Sequence, residues 1–327
     1  VNAMLPLRKT QMLAFDPEVM AMALQDGVLE HVQLEPGVFR GQIAHTATPG
    51  SRVDWGRYGL SVLARGDTTR DMVTITLPLG GHGAWRVHGR DANVGDIVIF
   101  PECGELLVTL PPEAQWLSVQ VPRCRLEAAE LEPALCRGGC PRRAKGEIDA
   151  GLQATLASLA PVLAPHDSSA IAGDAEMQRA HDELLAALFC ELARRGGSAD
   201  ASAALSPGER WRVVRRAEDY LDGRGDESVR IDDLCVAACT SLSRLERSFH
   251  EVFGVGPRRF LMLRRLAAVR RELLRADAGT SVTDVATRWG FFHLGRFSQE
   301  YRLHYGERPS QTLSQLRGVV PTPVHAA

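Results

Sequence analysis

The side chains best equipped for chemistry in this sequence are the arginines of its last third. Residues 209–318 hold 20 basic residues, every one an arginine, against 15 acidic ones, while the rest of the chain holds 18 basic and 25 acidic residues. A guanidinium group neutralises phosphates and bonds guanine bidentately, and a side-chain amide bonds adenine in the same way. At helical spacing, Ser243, Arg244, Glu246 and Arg247 form one outward set, and Gly295, Arg296, Gln299 and Arg302 form a second. Their chemistry is that of holding and reading double-stranded DNA. An acidic part joined to a basic part, summing to only −2, is the charge pattern of a sensor joined to a nucleic-acid binder.

Other chemistries find less support. The seven cysteines run from Cys103 to Cys239, an odd number that does not suit a secreted disulfide framework. Cys136 and Cys140 are the one close pair in a loop-like context, with no second pair or histidine cluster to complete a zinc site. Reduced spectator thiols are expected, with a redox pair as the lesser alternative. His82 and His88 are six apart and no His-x-His occurs, so neither a metal nor another cofactor is expected. Cys124 has no neighbouring histidine to activate it as a methyl acceptor. No catalytic residue stands out; a cupin-type enzyme and a cysteine-based DNA-repair protein or redox sensor are the rival readings. Trp55, Tyr58, Trp85, Phe100 and Trp116 suit an apolar pocket for a small-molecule effector, or equally a plain core.

The DNA-facing residues must be positioned by helices, and the sequence duplicates the elements that do so. An offset of 51 takes Ile231, Asp233 and Leu234 to Val282, Asp284 and Val285, and Cys239 to Gly290. One inserted residue later, an offset of 52 takes Leu245, Phe249, Gly254 and Pro257 to Phe297, Tyr301, Gly306 and Pro309. In each copy the apolar residues fall on one helical stripe, interrupted by a turn. Ser281 with Asp284 reads as a capping box. Two helix-turn-helix units result, whose second helices normally enter the major groove. A bundle of duplicated hairpins without a nucleic-acid partner would not need the outward arginines. Residues 257–275 read as a long amphipathic helix of roughly 28 Å that joins the two units.

The first part of the chain has the opposite texture. Short β-type runs at Val73–Leu77, Ala84–Val87, Asp96–Phe100, Leu106–Leu110 and Leu117–Val121 alternate with Gly and Pro punctuation. An antiparallel β-barrel of cupin or jelly-roll type is expected over 31–121, with helices over 122–195 that include a leucine stripe at Leu184, Leu185, Leu188 and Leu192. That stripe suits docking on the barrel or a homodimer seam. Residues 196–205 read as a linker, 206–318 as the tandem helix-turn-helix domain and 319–327 as a tail. The fold class is α+β in two domains. A hydrophobic share of 45% and a charged share of 24% exclude disordered and low-complexity classes. No apolar run is long enough to span a membrane and no signal core opens the chain, so a cytoplasmic protein without membrane contact is expected.

With these residues in view, 206–318 resembles the AraC/XylS family of bacterial transcription regulators. The resemblance rests on Gly254-Val-Gly-Pro257, on Arg265-Leu266 with Val269, Leu273 and Leu274, and on Val285-Ala through Gly290-Phe291, Phe297, Tyr301, Gly306 and Pro309. Cys235 and Cys239 depart from it, standing where Ala and Gly are usual. It implies promoter binding, activation through RNA polymerase, and an N-terminal effector or dimerisation domain. A dimeric activator without an effector is the alternative.

Overall fold

The computed structural model describes residues 5–131, 141–163, 174–196, 202–204, 208–224, 229–277 and 279–317. The N-terminal strands are β1 (Leu5–Met12), β2 (Val28–Gln33), β3 (Gly41–Thr48), β4 (Ser51–Tyr58), β5 (Val62–Asp67), β6 (Val73–Gly80) and β7 (Trp85–Val87). They continue as β8 (Arg90–Ala92), β9 (Ile97–Phe100), β10 (Glu105–Leu110), β11 (Ala114–Val121), β12 (Arg142–Ala144) and β13 (Ser202–Ala204). One sheet runs β1-β3-β4-β11-β6-β9-β12-β13 and the other β2-β5-β10-β7-β8. The pairings are antiparallel. The expected barrel is therefore corrected to an open, jelly-roll-like sandwich. The edge strands β8 and β13 have only three residues each, too little ladder to close a ring.

Among the described residues the helices of this part are α1 (Pro17–Ala21), α2 (Arg123–Ala128), α3 (Ala150–Leu163) and α4 (Asp174–Gly196). Leu184, Leu185, Leu188 and Leu192 pack on Ile75, Ile97, Ile99 and Leu117 of the larger sheet, so the leucine stripe docks on the sandwich. Of the stretch 196–205, Ser202–Ala204 pairs antiparallel with Arg142–Ala144 and extends that sheet. Residues 197–201 and 205, the cysteines Cys136 and Cys140, and the tail 319–327 lie outside the described residues.

Among the described residues the elements of the C-terminal part are helices: α5 (Glu209–Asp222), α6 (Ile231–Ala237), α7 (Leu242–Phe253), α8 (Pro257–Leu274), α9 (Val282–Arg288), α10 (Leu294–Tyr305) and α11 (Pro309–Arg317). Pro257 and Pro309 each open a helix, at the position where a missing N–H costs least. The rod α8 joins the two helix-turn-helix units, as its periodicity predicts.

The smaller sheet lies between the sandwich core and the helical domain, and strand alternation serves both sides. Leu29, Ala64, Trp85, Leu106 and Val108 face the core between the sheets. Their strand neighbours Val32, Leu63 and Leu107 pack instead with Trp211, Phe249 and Val252 of the helical domain. One layer of backbone separates the two environments.

Candidate nucleic-acid interface

In the first unit, the turn between α6 and α7 places Cys239 at φ 49°. Ser241 then caps α7 by accepting the Arg244 N–H at 3.4 Å. Leu245, Phe249, Val252 and Phe253 are buried; Phe249 meets Phe260 of the rod edge to face at a centroid distance of 5.3 Å, and Phe253 stacks on it at 4.3 Å. Gly254, at φ 77°, ends the helix in the left-handed conformation.

The second unit repeats this frame. Ser281 accepts the Asp284 N–H at 3.1 Å, and its hydroxyl donates to the Asp284 carboxylate at 2.6 Å; this corrects the expected capping box to a simple N-cap, since the carboxylate is taken by the hydroxyl and not by the Ser281 backbone N–H. Gly290, at φ 79°, makes the turn that Cys239 makes in the first unit. Phe297, Tyr301, His304 and Tyr305 are buried and Gly306 closes α10 at φ 76°.

Ser243, Arg244, Glu246, Arg247, Gly295, Arg296, Gln299 and Arg302 are all solvent-exposed. The sandwich covers neither outward face. Arg244 is ion-paired with Glu209 of α5, and Arg296 lies 3.5 Å from Glu300 one turn along. Arg247 contacts the Ser243 carbonyl at 3.4 Å through Nε. Among the described residues no ion pair involves Arg247 or Arg302.

Contacts that hold the helical domain against the sandwich escape the sequence reading. Thr109 of β10 donates to the Val252 carbonyl at the end of α7, at 3.2 Å. The His304 carbonyl, at the end of α10, accepts the Gln33 amide at 2.8 Å and the Gly37 N–H at 3.0 Å. The sandwich thus satisfies carbonyls that the last turn of each recognition helix leaves open. Arg270, 1% exposed, donates to the Phe15 carbonyl, to Glu307 at 2.7 Å and to the Tyr301 hydroxyl at 3.1 Å. Its guanidinium also lies 4.6 Å from the Tyr305 ring centre. Position 270 falls on the inward stripe with Leu263, Leu266 and Leu273, a signal that periodicity carries.

A charged cleft of about 610 Å³ lies on the same junction. Arg65 reaches Glu30 at 2.5 Å, Asp222 at 3.1 Å and Glu218 at 3.4 Å, and Arg271 reaches Glu30 at 2.7 Å. Burial works to raise the Glu30 carboxyl, but Arg65 and Arg271 carry it down to about 2. For Glu218 burial prevails over Arg65 and Arg264 and holds the pKa at about 7.

Between the sheets, a cavity of about 50 Å³ is lined by Tyr58, Trp85, Phe100 and Trp116, four of the five aromatic candidates. Trp55 packs on the opposite face of its sheet, against the helices. His31 also lines the cavity. His31 Nδ1, the Tyr58 hydroxyl and Trp116 Nε1 are buried without hydrogen-bond partners. Burial lowers the His31 pKa to about 3, so its ring is neutral. Among the described residues no group of three metal-ligating side chains gathers, and no helix is long and apolar enough to cross a membrane.

A helix-turn-helix domain model matches residues 234–315. The probable thc operon regulatory protein of Rhodococcus erythropolis is 37% identical over 102 residues, 31% of each chain. XylDLEGF operon transcriptional activator 1 of Pseudomonas putida is 25% identical over 293 residues, 85% of each chain. The matched segment therefore spans under a third of the first relative and most of the second. Among solved structures, the AraC-like transcriptional activator CuxR is 14% identical with a TM-score of 0.39, covering 86% of this chain and all of that one. Fatty-acid-bound ToxT from Vibrio cholerae is 12% identical with a TM-score of 0.32, covering 91% of this chain and 98% of its own.

Proposed function

Because the chain belongs to the AraC/XylS family of transcription regulators, we propose that it binds promoter DNA sequence-specifically through both units and activates transcription with RNA polymerase. In this reading it is a cytoplasmic homodimer without catalysis of its own. Residues 1–195 serve as the effector and dimerisation domain, 196–205 as the linker and 206–318 as the DNA-binding domain. The observation that carries the reading is the pair of equivalent recognition helices, α7 and α10, whose outward faces stay open to solvent in the whole chain.

A small molecule seated between the sheets would tune this activity. The three unpartnered polar atoms beside an aromatic cavity support that role, since buried groups of this kind are normally satisfied. The cavity volume of about 50 Å³ favours a second reading, in which the sandwich only dimerises. Genome-wide mapping of bound DNA tests the first proposal: enrichment of a shared motif upstream of genes is expected, and uniform recovery would overturn it. A screen for compounds that raise thermal stability separates ligand sensor from simple dimeriser.

A further inference from the structure

Resting on the DNA reading proposed above, we infer that the two units are built for different base pairs: the first for G·C, through Arg247 and Glu246, and the second for A·T, through Gln299 and Phe292. The inference starts from the equivalence of the two frames. Leu245 and Phe249 in α7 hold the places of Phe297 and Tyr301 in α10, and both helices end in a glycine at nearly the same φ and ψ, 77° and −2° against 76° and −2°. A helical rotation of ~100° per residue points Arg247 directly away from the first buried stripe and Gln299 directly away from the second. The two side chains therefore occupy one position of the repeat, and their chemistry differs.

At that position a guanidinium matches the two acceptors of guanine, O6 and N7. Glu246, on the adjoining shoulder, is an acceptor suited to the N4 amino group of cytosine. Arg247 is available for this because the acidic residue one turn along, Glu251, is ion-paired with Arg210 of α5. In the second unit Gln299 presents both a donor and an acceptor, the complement of adenine N7 and the N6 amino group. The place of Glu246 is taken there by Ser298, without charge. Gly295, one turn before Gln299 on the outward face, has open space where a side chain would stand, so the backbone there can approach the groove closely. Phe292, at the entrance of α10, is 72% exposed. Recognition helices touch base edges with their N-terminal residues, and an apolar ring there suits the thymine methyl group.

The test is selection of duplexes from a random pool by the full chain, by Arg247→Gln and by Gln299→Arg. Both positions are exposed, so unchanged melting temperatures are expected. The parent should enrich a site with a G·C pair in one half and an A·T pair in the other. Arg247→Gln should turn the guanine into adenine and Gln299→Arg the adenine into guanine, each by roughly fivefold to a hundredfold in preference. Replacing the selected thymine by deoxyuridine should weaken the parent and leave Phe292→Ala unaffected. If the parent enriches a two-part site that both exchanges leave unchanged, this assignment is overturned while DNA reading stands. If the parent enriches nothing, DNA reading falls with it.

Discussion

Gln33 and His304 hold each other twice across the junction of the two domains. The Gln33 side-chain amide donates to the His304 carbonyl at 2.8 Å, and His304 Nε2 donates to the Gln33 carbonyl at 3.1 Å. Arg259 lies 3.5 Å from His304 Nδ1, which fits a neutral ring protonated at Nε2. Replacing Gln33 by alanine removes one of the two donors to the His304 carbonyl, which keeps the Gly37 N–H, at a cost of about 0.5–1.5 kcal/mol. Gln33→Ala should lower the melting temperature and speed amide exchange in 294–305 more than in 242–253. Equal acceleration in both helices would show that the bond does not act on the second unit.

The same junction should respond to pH with two opposite signs. Burial, then Arg259, lowers the His304 pKa from 6.5 to about 4. Between those values the unfolded chain binds more protons, so stability from this neutral histidine falls as pH drops through that window. Glu218 runs the other way: with its pKa raised from 4.5 to about 7, the folded chain holds the extra proton. Its contribution declines as pH rises through that range and stays low above it. Glu218→Gln should therefore gain stability relative to the parent between about pH 5 and pH 8. Thermal melts across the range check the slope, and parallel curves would show that Glu218 does not hold a proton in the folded chain.

Cys239 marks a local conflict in the first unit. Its φ of 49° is left-handed, at the turn where the second unit has Gly290. A left-handed residue with a Cβ costs roughly 1–2 kcal/mol, part of which the greater unfolded-state freedom of glycine offsets. Cys239→Gly should stabilise the helical domain by about 0.5–1 kcal/mol, read from denaturant midpoints at unchanged slope. A loss of stability would mean that the thiol packs usefully where it stands.

Arg244 and Arg247 are three residues apart and should behave differently on DNA. Arg244 sits on the flank and is tethered to Glu209, the posture of a group that grips a phosphate. Arg244→Ala should weaken all sequences alike and reduce the salt slope of binding by about 1. Arg247→Ala should relax preference at one base position with a smaller uniform loss. Salt titrations on specific and unrelated duplexes separate the two effects.

The duplicated units were legible because helix periodicity, caps and the paired glycines are local signals. The buried stripes, the rod and the exposed arginines follow from them. In the sandwich, strand positions were legible but facing was less so. Trp55 and Tyr58 are three residues apart on one strand and so must face opposite ways, and only Tyr58 lines the cavity. The junction was not legible at all. Gln33 meets His304 271 positions later, and Thr109 meets Val252 143 positions later, pairings that only the packed tertiary structure specifies.

The smaller sheet gives the last prediction, because its alternation links cavity and recognition helix through a single strand. On β10, Val108 and Leu110 line the cavity while Thr109, between them, donates to the Val252 carbonyl of α7. On β5, Ala64 faces the cavity and Leu63 packs with the helical domain. Ala64→Val adds two methyl groups to the cavity wall, a crude imitation of an occupant. A displaced β5 pushes its ladder partner β10, where Val108 pairs with Ala64 and Thr109 with Leu63, and through the Thr109 hydrogen bond moves the end of α7. Thr109→Val removes that bond while keeping the shape of the side chain. If the sheet transmits, the change in DNA affinity caused by Ala64→Val should shrink when Thr109 is already valine, with a coupling of at least about 0.5 kcal/mol. Dissociation constants for the parent, the two single variants and the double variant on one selected duplex measure it. Strict additivity would place any path from cavity to DNA outside this strand.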